Sequence, residues 1–515
     1  MSAEVGRVVS YKETPSYSEC YVILSPGQKA RPGELLLVEV EEGRHYVIGR
    51  VEEGMEMNLY ESPELARTRS LLGIESVSNR EDLPNKYRLV RLDLLEEVVG
   101  DTQVKPTIRE IQTLVSAGSR VFRAPSDWAA PALGLLPPNG GAGGDGMYIG
   151  TTVGEASIPV ILSANAVLPR HVLIVGSTGT GKSWLRGVIA EEVRKLGIPQ
   201  VNIDVHGEFV KAAVELGGEN LVPGQSLTVP LSSLSEPEVI GLIPYLTELQ
   251  GEIVRRAFLN LKKRGKPFDV PDFVNEVRSV GIELNARDQT IEIAADRVEA
   301  LNSIRIIGNG INWSHKLSTR KFVNIDCRGL SHSELQAVAG AVARELLNLR
   351  MRSEIPPVVF SIDEAHLFVP YSTFGEETTS SQIIREVIRF GRHYGVCLIL
   401  VTPAPSDIDR KIARITNTRF IFATEPDQLD YLKGVFADTP EDIIKRLPKL
   451  EQGVCLLTGS RETVRHALLI RVRGRKTTHG GETPNIIEEV KRFEKSDKNV
   501  KPKPGGIDSF LKGGT

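Results

Sequence analysis

Apolar residues along this chain change period several times, and the changes mark out its parts. In the first hundred positions short runs such as Cys20-Tyr-Val-Ile-Leu24, Glu34-Leu-Leu-Leu-Val-Glu-Val40 and Tyr46-Val-Ile-Gly-Arg-Val51 sit between Pro, Gly and charged turns. That pattern predicts a small β-barrel or sandwich over residues 1–100. Residues 136–147, Leu-Pro-Pro-Asn-Gly-Gly-Ala-Gly-Gly-Asp-Gly-Met, predict a flexible connection, either a hinge or a surface loop. An apolar run, Val172-Leu-Ile-Val175, then precedes a helical stretch from Trp184 to Leu196 that Gly197 ends. From about 230 to 318 the strand signal disappears and helical periodicity takes over, as in Glu252–Lys263 and Asp288–Ile304. The strand pattern resumes at Phe322–Asp326 and recurs at Val396–Val401 and Arg419–Ala423, alternating with helices. A wound parallel sheet interrupted by a helical insertion is expected.

Two motifs supply the chemistry. Residues 176–183, Gly-Ser-Thr-Gly-Thr-Gly-Lys-Ser, form a complete phosphate-binding loop between strand and helix. Gly176, Gly179 and Gly181 permit tight turns, so that the backbone N–H groups of Ser177, Thr178, Thr180 and their neighbours face phosphate; Lys182 adds a point charge and the Ser183 hydroxyl suits Mg²⁺. Val358-Val-Phe-Ser-Ile-Asp-Glu364 reads as a central strand ending in two carboxylates. Asp363 is placed to reach Mg²⁺ directly or through water, and Glu364 to polarise an attacking water. The pair of motifs predicts an ATPase using ATP and Mg²⁺. His206 and His366, each near an acidic residue, are expected to be hydrogen-bonded or structural groups.

Composition narrows the setting. The chain has 515 residues, 41% hydrophobic, a formal net charge of −3 and a pI near 6.4. There is no global basic field, so contact with nucleic acid has to be local. The candidates are Lys262-Lys-Arg-Gly-Lys266, which also fits a solvated helix end, and the polar stretch Tyr371–Ser381. Cys20, Cys327, Cys397 and Cys455 lack paired ligand spacing and read as reduced core thiols. With no apolar leader and no uncharged run near the roughly 18–20 residues of a membrane span, a cytoplasmic protein with no membrane contact is expected. The tail from about 484 is polar but ends in a short apolar hook at Ile507, Phe510 and Leu511, which suits either docking or fraying.

The ordered set Asp204-Val-His-Gly-Glu-Phe209, Asp363-Glu-Ala-His-Leu-Phe-Val-Pro370, Thr378-Thr-Ser-Ser381, Arg389-Phe-Gly-Arg-His-Tyr-Gly395, Ala404-Pro-Ser-Asp-Ile-Asp409 and Arg471-Val-Arg-Gly-Arg475 with His479-Gly-Gly481 resembles the archaeal HerA helicases of the HerA/FtsK superfamily. The resemblance runs to about residue 481. It implies an α/β fold: a RecA-like P-loop ATPase core with an N-terminal β-barrel (1–100), the start of the core (101–229), a helical insertion (230–318), the rest of the core (319–483) and a tail (484–515). It also implies a homohexameric, ATP-driven DNA translocase or helicase, indifferent to sequence, that works with a NurA-type nuclease in end resection and recombinational repair; a motor coupled to a protein partner is the alternative. By matching positions, Arg170 would touch nucleotide within its own subunit, Asp204 and Glu208 would lie near the γ-phosphate, and Arg389 or Arg392 would be an arginine finger given to the next subunit. The chain departs from the pattern at Thr402-Pro403-Ala404-Pro405, where the family usually has a Gln; Thr402 or Asn417 would then sense phosphate. It departs again at Phe390, commonly a Glu.

Overall fold

The computed structural model describes residues 3–11, 14–58, 86–100, 107–137, 143–153, 157–319, 321–371, 378–435 and 441–480. Residues 138–142 of the glycine-rich connection, six residues of the stretch 371–381, and the tail with its apolar hook lie outside the described residues.

Seven strands build the first unit: β1 (Glu4–Val9), β2 (Glu19–Leu24), β3 (Leu35–Glu41), β4 (His45–Asn58), β5 (Lys86–Val99), β6 (Thr107–Arg109) and β7 (Arg120–Arg123). They run in the order β2-β1-β7-β3-β4-β5-β6, and β2 also pairs with β5, which closes a barrel of six strands. β7 inserts between β1 and β3, so the barrel ends at Arg123 and not near residue 100 as expected. With only Val121 and Phe122 buried, Arg120-Val-Phe-Arg123 is too short a run to stand out as a strand by pattern.

The second sheet has eleven strands: β8 (Gly146–Thr152), β9 (Pro159–Ser163), β10 (Val172–Val175), β11 (Gln200–Asp204), β12 (Glu219–Leu221), β13 (Phe322–Asp326), β14 (Val358–Ile362), β15 (Val396–Thr402), β16 (Thr418–Ile421), β17 (Val454–Gly459) and β18 (Leu468–Val472). Their order is β12-β13-β11-β14-β15-β10-β16-β17-β18-β8-β9. The neighbours from β12 to β16 pair in parallel, and β16-β17-β18-β8-β9 pair antiparallel. The sheet is therefore mixed: the strands expected to form a wound parallel sheet do pair in parallel, and an antiparallel half is added to them. Strands β10, β11, β13, β14 and β15 are buried throughout, as strands covered on both faces must be. Between β12 and β13 the chain is helical, and the helices Glu248–Lys263, Val270–Glu283 and Asp288–Glu299 carry amphipathic faces that join the core.

The barrel is fused to the sheet. One apolar cluster runs from Leu35, Tyr46 and Ile48 through Trp128 to Ile149 and Ile174. Arg50 Nη1 donates to the Ala467 carbonyl at 2.6 Å, and buried Glu96 accepts from His466 at 3.1 Å. All four cysteines are buried and free, and burial pushes the Cys20, Cys327 and Cys397 thiols up to about 12. No helix among the described residues is long and apolar enough to cross a membrane.

Glu97 anchors the seam between β5 and β6. Burial alone would raise its carboxyl, but the N–H groups of Gln112 (3.0 Å) and Thr113 (2.6 Å) and the Arg109 guanidinium (2.6 Å) outweigh burial and hold it at about 2, below the ordinary 4.5. A carboxylate lowered on folding stabilises above its unfolded pKa, and that stability is lost as pH falls from about 4.5 toward 2. Acid titration by circular dichroism should show a shallower loss across that window for Glu97→Gln than for the wild type; identical slopes would contradict this account.

Candidate nucleotide site

Parallel strands put all their C-terminal ends on one edge of the sheet, and the candidate site lies there. The phosphate loop leaves β10 through three glycines at positive φ, Gly176 (150°), Gly179 (79°) and Gly181 (121°). At Gly176 the requirement is steric as well, because an added Cβ would sit 2.5 Å from the Phe422 Cβ. Ser177 N–H donates to the Ala423 carbonyl at 2.8 Å, and the Thr180 hydroxyl donates to the Ser177 carbonyl at 2.7 Å. Lys182 opens the Lys182–Lys195 helix and donates to the Ser177 carbonyl at 3.0 Å. Burial lowers its pKa, while the carboxylates of Glu364, Asp363 and Glu208 oppose the shift. These three acids therefore lie near enough for their charges to act on the lysine.

Asp363 and Glu364 follow β14 and are held differently. Buried Asp363 lies 3.0 Å from the Nη1 of Arg186, and its Oδ1 accepts the Glu364 N–H at 3.1 Å. Glu364 adopts a left-handed backbone conformation (φ 48°) and stays 22% exposed between His206 Nε2 at 3.3 Å and His366 Nδ1 at 3.4 Å. A carboxylate turned toward solvent beside buried phosphate-binding groups can accept a proton from water.

Asp204 does not fit the role near the γ-phosphate that the resemblance implied. Its Oδ1 accepts the N–H groups of Gly207 (2.9 Å) and Glu208 (3.0 Å), and its Oδ2 accepts those of Phe209 (2.9 Å) and of the Asn324 amide (3.1 Å). Fully occupied and buried, it shapes the loop that presents Glu208. Glu208 Oε2, in contrast, is buried with no hydrogen-bond partner among the described residues.

Arg170 is also corrected. It precedes β10, whereas the phosphate loop follows it, so about 13 Å of strand separates them. Its guanidinium donates to the Ala166 carbonyl at 2.9 Å and pairs with Glu462. Asn417 lies on the same far edge, with its N–H on the Arg170 carbonyl at 3.0 Å, and cannot sense phosphate in its own subunit. Thr402 lies at the other edge: it pairs in register with Val175, is buried, and its hydroxyl donates to the Ala404 carbonyl at 3.3 Å and lies 3.5 Å from His366 Nδ1.

Arg389 and Arg392 sit near the end of the Ser381–Tyr394 helix, which runs back to the far edge before β15 begins. Both are exposed and make no hydrogen bond or ion pair among the described residues. His171 fixes this end of the helix by donating from Nε2 to the Ile388 carbonyl while Nδ1 accepts the Leu398 N–H, each at 3.0 Å. Burial pushes the His171 ring down to about 4, so it stays neutral.

The Thr378–Ser381 hydroxyls turn inward, where the Phe368 carbonyl accepts from Thr378 (2.5 Å), Ser380 (3.1 Å) and Ser381 (2.9 Å). In the lysine cluster all four cations are exposed; Lys262 donates to the Ser232 carbonyl at 2.7 Å and Arg264 pairs with Glu276 at 2.6 Å, while Lys263 and Lys266 make no hydrogen bond or ion pair among the described residues.

Sequence reasoning missed Arg186, which bonds the Ser361 hydroxyl (2.9 Å), the Ile203 carbonyl (2.8 Å) and Asn202 besides Asp363. The available signal was its spacing, four residues after Lys182 and so on the same helix face. Sequence reasoning noted Arg471–Arg475 and His479–Gly481 as motif positions but gave them no role; Arg473–Gly480 crosses the phosphate-loop helix as a strap. Arg473 pairs with Glu191 at 2.8 Å and Glu192 at 2.9 Å, and Gly480 N–H reaches the Glu208 carbonyl at 3.1 Å.

No cluster of three or more His, Cys, Asp or Glu suited to a metal occurs among the described residues. The donor set nevertheless fits Mg²⁺ carried with nucleotide: the Ser183 hydroxyl makes no hydrogen bond among the described residues, and Asp363, already engaged, is suited to act through water.

A family model described as helicase HerA, central domain, matches residues 147–346. A probable helicase of Methanocaldococcus jannaschii is 23% identical over 436 residues, covering 81% of this chain and 82% of its own length. The DNA double-strand break repair helicase HerA of Pyrococcus furiosus is 24% identical over 428 residues, covering 70% and 76%. Among solved structures, VirB4 of Thermoanaerobacter pseudethanolicus is 15% identical with a TM-score of 0.51, covering 65% of this chain and 98% of its own. That likeness concerns the fold.

Replacing Arg186 with Met would leave Asp363 buried without its cation, which costs about 3–5 kcal/mol. Urea unfolding should register a loss of that size for Arg186→Met and a partial recovery in the double variant with Asp363→Asn. Additive losses in the double variant would show that the two residues act independently.

Proposed function

We propose that the chain is a HerA-type P-loop ATPase of the HerA/FtsK superfamily, an ATP-driven DNA translocase or helicase that works as a homohexameric ring. The match to the HerA central domain and the similarity to helicases over most of the chain support this reading. Relatives named as DNA double-strand break repair helicases support a role in DNA repair; that role would be end resection and recombinational repair, with a NurA-type nuclease as partner and the barrel as its docking surface. The observation that carries the assembled reading is a separation. Glu364 and the phosphate loop occupy one edge of the sheet, while the exposed Arg389 and Arg392 occupy the other.

Within one subunit the seven-residue strand β15 alone spans about 20 Å, so neither arginine reaches its own phosphate loop. A second copy would have to bring one of them to the site, which makes hydrolysis depend on assembly. Loop N–H groups and Lys182 would hold the phosphates, with Ser183 and, through water, Asp363 on Mg²⁺. That ion, bound with ATP, would neutralise charge on the phosphate oxygens. Glu364 would take the proton of the attacking water, oriented by His206 and His366, while Thr402 reports phosphate to His366. Thr402 thereby replaces the amide that Pro403 and Ala404 cannot supply. DNA would be held through its phosphates, without base readout.

Steady-state hydrolysis with linear duplex at two salt concentrations tests this reading. The wild type should be stimulated by DNA, less so at high salt, and Glu364→Gln should lose roughly 10²- to 10⁴-fold in turnover while still binding nucleotide. A rate indifferent to DNA in assembled rings, but raised by a protein partner, would replace the DNA motor by a protein-coupled one.

A further inference from the structure

We propose that Trp184 and His479 form a stacking platform for the base of the nucleotide, which makes Trp184 a determinant of affinity for purine over pyrimidine triphosphates. The proposal rests on the phosphate-loop reading and extends it to the base.

Trp184 directly follows Ser183 and projects from the first turn of the phosphate-loop helix. It remains 38% exposed, although tryptophan is on average highly buried. Its ring lies nearly parallel to that of His479, at 22° with centroids 6.2 Å apart, and its Nε1–H donates to the Arg473 carbonyl at 3.0 Å. That bond fixes the plane of the ring. The strap that brings His479 is itself tied down: the N–H groups of Lys476 and Thr477 both reach Glu191 Oε1 at 2.7 Å, and Gly480 N–H reaches the Glu208 carbonyl. Two oriented flat rings are thus held at the mouth of the loop, one contributed by the helix and one by the strap.

The phosphates, set against the N–H groups of residues 177–183, fix where the rest of the nucleotide can go. On the sheet side Asp363 and Glu364 lie near enough for their charges to act on Lys182, and anionic groups there favour the metal and water over a base. The opposite side of the first helical turn carries the Trp184 face. A purine presents a larger π-surface to it than a pyrimidine, and base–aromatic stacking of this kind commonly changes affinity by tenfold or more. Stacking reads area and not edge groups, so ATP and GTP should bind alike.

Calorimetric titration of the full chain with ATP, UTP and inorganic tripolyphosphate separates base from phosphate. Trp184→Ala should weaken ATP about tenfold or more, leave tripolyphosphate within about twofold and erase the preference of ATP over UTP. Trp184→Phe, which keeps an aromatic face but loses the bond to Arg473, should retain most of the ATP affinity. Unchanged ATP affinity in Trp184→Ala would overturn the platform, as would an equal loss for ATP and tripolyphosphate, which would assign the indole to pinning the strap. If tripolyphosphate fails to bind the wild type, the phosphate-loop reading itself falls, a result distinct from the other two.

Discussion

A single buried guanidinium organises the site. Arg186 is 2% exposed, and its fork joins the phosphate-loop helix to the ends of β11 and β14 through Asn202, the Ile203 carbonyl, Ser361 and Asp363. Its planar face also lies over the Phe209 ring, with the guanidinium carbon 4.6 Å from the centroid. A charge taken out of water is tolerated only when its donors are matched and an anion stands opposite. Helix, strand ends and the loop after β11 must therefore keep one mutual geometry. The nucleotide, the candidate base Glu364 and the loop bearing Glu208 all inherit their positions from that arrangement.

The polar network continues sideways through the sheet. Asn202 donates to Asn324 at 2.5 Å, and Asn324 donates to Asp204 at 3.1 Å and to Asn220 at 3.0 Å, so amides cross three strands, β11, β13 and β12, and Arg186 links them to Ser361 on β14. Buried amides of this kind stabilise only while every partner is present. Asp204 belongs to this network, and its motif position alone misleads, because a carboxylate with four donors has no lone pair left for a ligand.

Legibility in the sequence followed the range of the interactions. The phosphate loop, the acidic strand end and the long helices depend on residues close in sequence, so spacing and periodicity found them. The barrel closure and the antiparallel half of the sheet depend on strands distant in sequence, and runs as short as Arg120–Arg123 carry no pattern of their own. Arg170 shows a different limit. A residue two positions before a strand is close to the phosphate loop in sequence, yet extended backbone turns that closeness into the length of the strand. Sequence proximity to a motif places a residue well in a helix or tight turn and badly across a strand.

The strap gives the site a physical link from its far side back to its phosphate-facing side. Arg475 Nη1 donates to the Ser183 carbonyl at 3.3 Å, its guanidinium carbon lies 4.9 Å from the Phe209 ring centroid, and burial lowers its pKa to about 10. Phe209 is therefore held between two arginines, Arg186 from the helix and Arg475 from the strap, each of which touches a different part of the phosphate loop's surroundings. Close approach is built in, since an added Cβ at Gly187 would overlap the Arg475 guanidinium. Two like charges on one aromatic ring remain together only because acids answer each: Asp363 faces Arg186, and Glu191 and Glu208 act on Arg475. Of these, Glu208 is the one with a carboxylate oxygen still unpartnered among the described residues, and its charge also acts on Lys182. Its backbone also holds the strap, because the Glu208 carbonyl accepts the Gly480 N–H at 3.1 Å.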